Sequence, residues 1–198
     1  MTGEIILASG SEIRTQLLHR AGVHHVSIPA RIDEDSVIQA MSHAGETSRN
    51  IADALADAKA DKVSRKHPNA FVIGSDQILS LNDRVFQKAD NRDALARQLS
   101  ELQGQSHVLT SAVVVYHDAQ PQWRHVGQVR MTMRDLTRPQ IEDYVEKHWD
   151  NIQYCVGGYR YEDEGIRLFT QVEGDYFHVL GIPLLELINY LHTRGVIT

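Results

Sequence analysis

The chain has 198 residues, 42% of them hydrophobic, which suits one domain over residues 1–198 with a sizeable core. Its formal net charge of -6 argues against a sequence-independent grip on nucleic acid, although a local basic pocket can still take a small anion. The single cysteine, Cys155, excludes an intrachain disulfide and points to a reducing compartment, and no apolar run reaches the length of a membrane span.

Glu4 to Ala8 predicts a short buried strand, followed by a tight Ser9-Gly10-Ser11 turn. Ser11 is a helix N-cap, with Ile13, Leu17 and Leu18 on one helix face and Gly22 at the end. A strand, a small-residue turn and a helix start leave backbone N–H groups free to meet an anion. The N-terminus has neither the basic start nor the apolar run of an export signal, so a cytoplasmic location is expected. Asp33-Glu34-Asp35 reads as an acidic turn. A long helix follows from about Thr47 to Lys66, burying Ile51, Leu55, Ala58 and Val63.

Ala70 to Ser75 reads as a continuous apolar strand ending at Asp76. Ile78 to Leu81 and Arg84 to Phe86 flank Asn82-Asp83, a two-residue hairpin signal. A helix starts at Asp90 or Asn91, with Ala94, Leu95, Leu99 and Leu102 apolar and Gly104 closing it. His107 to Tyr116 is β-rich, and Trp123 to Met133 alternates over part of its length. Thr137-x-x-Gln140 is a capping box, with Pro139 in the first turn of a helix reaching about His148. Beyond Gly157-Gly158-Tyr159 come a strand near Ile166 to Thr170, a Gly-Asp turn and a last helix from Pro183 to Thr193. This alternation of strands and helices gives an α/β or α+β class.

Two carboxylates stand out by position. Asp76 sits at a strand end, where a side chain is held rigidly and faces a crevice. With Glu34 it makes a pair able to hold a divalent cation and orient water. Taken singly, Asp76 reads equally as a turn cap, while Glu34 reads better as a solvated charge. Arg14 opposes the dipole of the first helix, a misfit that an anion would relieve. Lys59 reads alone as a surface lysine, and Lys88 follows the hairpin close to Asp76. The 11 histidines are scattered, without H-x-x-x-H or Cys/His spacing, so they read as packed or solvated rather than as metal ligands.

With these residues in view, the chain resembles the Maf family of nucleotide pyrophosphatases. Leu7-Ala8-Ser9-Gly10-Ser11-x-x-Arg14-x-x-Leu17-Leu18 is similar to the family's first motif. Asp33-Glu34, Leu55-Ala56-x-x-Lys59-Ala60, Ile73-Gly74-Ser75-Asp76-Gln77, Lys88, Leu102-x-Gly104 and Thr110 follow in the family's order. So do Gly157-Gly158-Tyr159, Gly174-Asp175-Tyr176 and Gly181-Ile182-Pro183. The resemblance implies a Maf/ITPase-like mixed β-sheet with flanking helices, in two lobes around a central cleft. It implies a nucleoside triphosphate substrate and a divalent metal cation, Mg or Mn, with water attacking the α-phosphorus and pyrophosphate leaving. Asp76 is then the proton acceptor and a metal ligand, and Glu34 the second ligand. Ser9, Arg14, Lys59 and Lys88 hold phosphate oxygens. No nucleic-acid or membrane partner is implied, and a homodimer is compatible with the reading.

The commoner family pattern has Pro-Arg-Arg where this chain has Glu12-Ile13-Arg14, and Lys-Pro where it has Lys88-Ala89. It has Asp-Thr in place of Asp76-Gln77, and Lys-Ala-Gly…Gln in place of Cys155-Val156-Gly157…Glu162. The Ser-Asp-Gln, the Cys-x-Gly and the late glutamate resemble the branch that prefers 7-methyl-GTP, which makes Ile13, Gln77 and Glu162 the expected specificity residues. The competing reading is a nucleotide-binding regulator of cell division or septum formation with weak or no hydrolysis. The Asp76, Glu34, Lys59 and Lys88 set argues against it, because a pure binder needs no base.

Overall fold

A computed structural model describes residues 3–198; Met1 and Thr2, the first positions of the expected 1–198 domain, lie outside the described residues. The strands form one seven-stranded mixed sheet with helices on both faces, as expected. Strand β1 (Ile5–Leu7) runs parallel to β2 (Val26–Ser27) and to β3 (Phe71–Leu81). The rest is antiparallel: β3 pairs with β4 (Arg84–Phe86) and β5 (Ser106–His117), β5 with β6 (Gln120–Met133), and β6 with β7 (Phe169–Glu173).

Strand β3 is apolar on both sides because both sides are covered. On one face, Val72 and Ile78 pack with Ala112 and Val114 against Ile51, Leu55, Ala56 and Ala60 of α3 (Ser48–Ser64). On the other, Phe71 and Ile73 pack against Leu17 and Leu18 of α1 (Glu12–Arg20) and Leu184 and Leu187 of α7 (Leu184–Thr193). Further along the same strands, Leu79, Leu109 and Met131 join a separate core with α4 (Arg92–Leu102) and α5 (Arg138–Ile152). The two lobes are therefore the two ends of β3, β5 and β6. Asp76 stands where β3 passes from one to the other.

Gly74 fixes how closely α3 lies on β3. A Cβ there would collide with the carbonyl oxygen of Ala56 and with Ala60. Only a bare backbone lets α3 settle at this distance, which sets Lys59, the residue before Ala60, over Asp76.

Most caps stand where the sequence puts them. Ser11, Thr47 and Asn91 each accept a hydrogen bond from a backbone N–H of the first turn of their helix. The Gln140 side chain accepts from Thr137 N at 2.8 Å. Leu81 pairs with Arg84 across Asn82-Asp83, both with positive φ, as the hairpin requires.

Several expectations need correction. Asp33-Glu34-Asp35 is not a turn but the start of α2 (Glu34–His43): Asp33 caps it, accepting from Ser36 N at 3.1 Å, and the acidic residues suit the helix dipole. Helix α2 has no fully buried residue; its short apolar stripe, Val37, Ile38 and Met41, packs only partly against the core under α3. Strand β3 does not end at Asp76 but continues to Leu81. Ala58 is half-buried while Lys59 is buried. Helix α5 runs to Ile152 rather than His148. Ile166 lies in a 3-10 segment (Glu164–Leu168), and the strand begins only at Phe169.

Candidate active site

The β1–α1 turn, the N-terminus of α2, the middle of α3 and the middle of β3 meet at one place. Lys59 occupies its centre, with Nζ 3.0 Å from Asp76 Oδ1 and 2.8 Å from Glu34 Oε1. Strand alternation aims Asp76 at the α3 face, and the helix period puts Lys59 on the α3 residues that face the sheet. Lys88, exposed after β4, reaches within 4.0 Å of Glu34 Oε2. Burial works against the Glu34 charge, but Lys59, helped by Lys88 and Arg14, outweighs it and holds the carboxyl below its ordinary range.

Arg14 is almost wholly buried and braced by the protein. Its Nε donates to Gly181 O at 2.8 Å, and its Nη1 donates to Ser75 O at 2.9 Å and to Ser9 Oγ at 3.3 Å. Ser75 Oγ also donates to Gly181 O, at 3.0 Å. Burial lowers the Arg14 pKa, and Asp76 and then Glu34 oppose that. The guanidinium is thus a brace between α1, β3 and the Gly181 turn whose charge still acts on both carboxylates. Ser9 is buried in the turn, its Oγ accepting from Ser11 N at 3.2 Å.

Ile13 and Glu162 line a cavity of about 420 Å³ with Arg20, Arg160, Tyr176 and Phe177. Its link to the carboxylate cluster is α1, where Ile13 borders the cavity and Arg14 the cluster. Inside it, Glu162 Oε1 and Asp163 Oδ2 each take the Arg160 Nε at 3.1 Å. Arg160, which directly follows Gly157-Gly158-Tyr159, was not singled out by sequence, and Tyr176 stood there only as the close of Gly174-Asp175-Tyr176, without a role. Burial first and then Glu162 push the nearby Cys155 thiol up to about 11, so it is a neutral thiol and not a nucleophile.

Gln77 does not join either group. As the neighbour of Asp76 on a strand it faces the opposite side of the sheet. There its Nε2 donates to His178 O at 2.9 Å, Val179 O at 3.1 Å and Ser111 Oγ at 3.0 Å. It anchors α6 (Tyr176–Val179) to the sheet.

A family model for Maf-like proteins matches residues 4–194. A nucleoside triphosphate pyrophosphatase of Ruegeria pomeroyi is 50% identical, covering 100% of this chain and 99% of that protein. One of Roseobacter denitrificans is 48% identical, over 98% of each chain. A 7-methyl-GTP pyrophosphatase of Brucella abortus is 44% identical, over 100% of this chain and 99% of its own.

Proposed function

The chain belongs to the Maf-like family, and from that premise we propose that it hydrolyses nucleoside triphosphates to the nucleoside monophosphate and pyrophosphate. The observation that carries this reading is Lys59, buried and bonded to both Asp76 and Glu34 beside the Ser9 turn and Arg14. Displacement at phosphorus asks a protein for positioning, charge neutralisation and an oriented water rather than covalent chemistry. Asp76 acts as proton acceptor for that water. Lys59, Lys88 and the backbone N–H groups of the Ser9 turn draw in phosphate oxygens. Arg14 contributes charge and its Nη2, its other nitrogens being committed to the brace.

The donor set suits a hard divalent cation, Mg²⁺ or Mn²⁺. Both candidates are carboxylates, and Lys59 occupies only Oδ1 of Asp76 and Oε1 of Glu34. Asp76 and Glu34 would hold the ion, which would neutralise phosphate charge and acidify a bound water.

The Ile13–Glu162 cavity is the base pocket of this reading, and N7-methylated guanine is the base that fits it best. Glu162 keeps one oxygen clear of Arg160 and can accept from the N1–H and N2–H₂ edge. A methylated, positively charged ring favours the Glu162–Asp163 side, and Ile13 and Tyr176 offer apolar surface to it. Residues 1–198 act as one catalytic domain in a cytoplasmic protein, where a lone reduced Cys155 is at home. Among the described residues no helix is long and apolar enough to cross a membrane. The regulator reading is not favoured, because the relatives are named for hydrolysis.

The test is a panel of 7-methyl-GTP, GTP, UTP and dTTP, with orthophosphate measured with and without added inorganic pyrophosphatase. Orthophosphate should appear only when pyrophosphatase is present, and most from 7-methyl-GTP. Orthophosphate released without it would contradict the reading.

A further inference from the structure

We propose that His125, His178 and Glu186 form a second metal site, for a borderline transition ion of the Zn²⁺ class, on the face of the sheet opposite Asp76. Sequence spacing gives no hint of it, because the ligands come from β6, α6 and α7. Geometry gives these two histidines a reading that spacing does not: one ligand atom from each of the three residues lies within 4.8 Å of the other two. His178 Nε2 is 3.2 Å from Glu186 Oε2, and His125 Nε2 is 3.8 Å from Glu186 Oε1. The second distance is too long for a hydrogen bond. Tetrahedral ligands at about 2.0–2.1 Å from Zn²⁺ stand roughly 3.3 Å apart, so a small inward movement completes the triangle.

The surroundings are built for these rings. His178 is buried, and its carbonyl is held by Gln77 Nε2 at 2.9 Å and Ser111 Oγ at 2.8 Å, which fixes the backbone that carries the ring. Gly127 lies directly against the imidazole; any Cβ there would collide with its Cε1 and Nδ1. His125, two residues earlier on the same strand face, tilts towards His178 with ring centroids 6.0 Å apart. Trp123 stacks on Tyr190 beside it and walls the site on one side. His125 and Glu186 remain about one-third exposed, so an ion has an entry path and a water can complete its coordination.

Ligand chemistry separates this site from the catalytic one. Two imidazoles and one carboxylate favour Zn²⁺, Co²⁺ or Ni²⁺, whereas the all-oxygen Asp76–Glu34 pair favours Mg²⁺ or Mn²⁺. The site also bears on α6, whose other bonds reach Gln77 beside Asp76.

The experiment is calorimetric titration of Zn²⁺ into the chelator-treated full chain, with Asp76→Asn as the background that weakens the catalytic carboxylates. One Zn²⁺ per chain should bind both proteins, indifferent to millimolar Mg²⁺, and raise the Tm. Adding His125→Ala or Glu186→Gln should weaken binding by at least about 10²-fold and abolish the Tm rise, since even supporting residues of metal sites are worth 10–100-fold. Both positions are partly exposed, and the metal-free Tm of each variant checks that it folds. Failure to bind Zn²⁺, or binding that survives both substitutions or that Mg²⁺ displaces, would overturn the proposal.

Discussion

Lys59 Nζ and Asp76 Oδ1 face each other at 3.0 Å, each side chain about one-tenth exposed, across the contact that Gly74 allows between α3 and β3. An ammonium and a carboxylate this deep stand only because each neutralises the other, and Glu34 shares the load from α2. A polyanionic substrate can then draw Lys59 towards its phosphates while a cation replaces it at the carboxylates. We propose that this exchange links burial to catalysis.

Asp76→Asn keeps the shape of the side chain and removes the carboxylate we propose as the base. We expect kcat to fall by about 10²-fold or more, the scale of a lost general base, while the protein stays folded. Steady-state kinetics and a thermal melt on the same preparation check this. Turnover near normal in a folded variant would remove Asp76 from its role.

The two lysines should separate. Lys59→Ala leaves Asp76 without its partner in the interior and should cost about 3 kcal/mol of stability as well as most activity. Lys88→Ala, with its side chain 58% exposed, should change stability by less than about 0.5 kcal/mol and act chiefly on KM. Denaturant melts of both variants, set beside their kinetics, test the contrast.

Much of the fold was legible in the sequence because local rules and tertiary packing agreed. Ser11 before Leu17 and Leu18, Asn82-Asp83 between two strands, and Thr137 with Gln140 each stand as read. Helix α2 was missed because an acidic cap imitates a turn and only a short, partly buried stripe, Val37, Ile38 and Met41, follows it. Lys59 looks like a surface lysine because a charge is normally solvated, and only the close approach at Gly74 buries it. Gln77 follows Asp76 in sequence, yet strand alternation sends it to the other face. Of the candidate residues, Asp76, Glu34, Lys59, Lys88, Ser9 and Arg14 come together around the β3 crossing. Ile13 and Glu162 share the neighbouring cavity.

Glu162→Gln addresses base choice. Asp163 also holds Arg160 at 3.1 Å, so the pocket should keep its shape when Glu162 loses its charge. The preference we propose for 7-methyl-GTP over UTP and dTTP in kcat/KM should shrink by roughly tenfold or more, the worth of a lost carboxylate contact to the base edge. An unchanged ratio would mean that other residues read the base.

His107 supplies a pH dependence away from the active site. Burial beside Tyr159 lowers its pKa from 6.5 to about 4, its Nε2 lying 2.7 Å from the Tyr159 hydroxyl. The unfolded chain therefore binds a proton that the folded one refuses between these values, so stability falls as pH drops from 6.5 and levels off near 4. At 1.36 kcal/mol per pK unit the loss amounts to roughly 3 kcal/mol. In His107→Gln the slope of stability between pH 6.5 and 4 should flatten by about that amount, read from denaturant melts across the range.

The most direct measurement is hydrolysis of 7-methyl-GTP in ¹⁸O-labelled water, with mass spectrometry of the products. Attack on the α-phosphorus by water held at Asp76 predicts one ¹⁸O in the monophosphate and none in pyrophosphate. Label in pyrophosphate would place the attack on the β-phosphorus, and label in orthophosphate would make the chain a γ-phosphatase; either result would contradict the account.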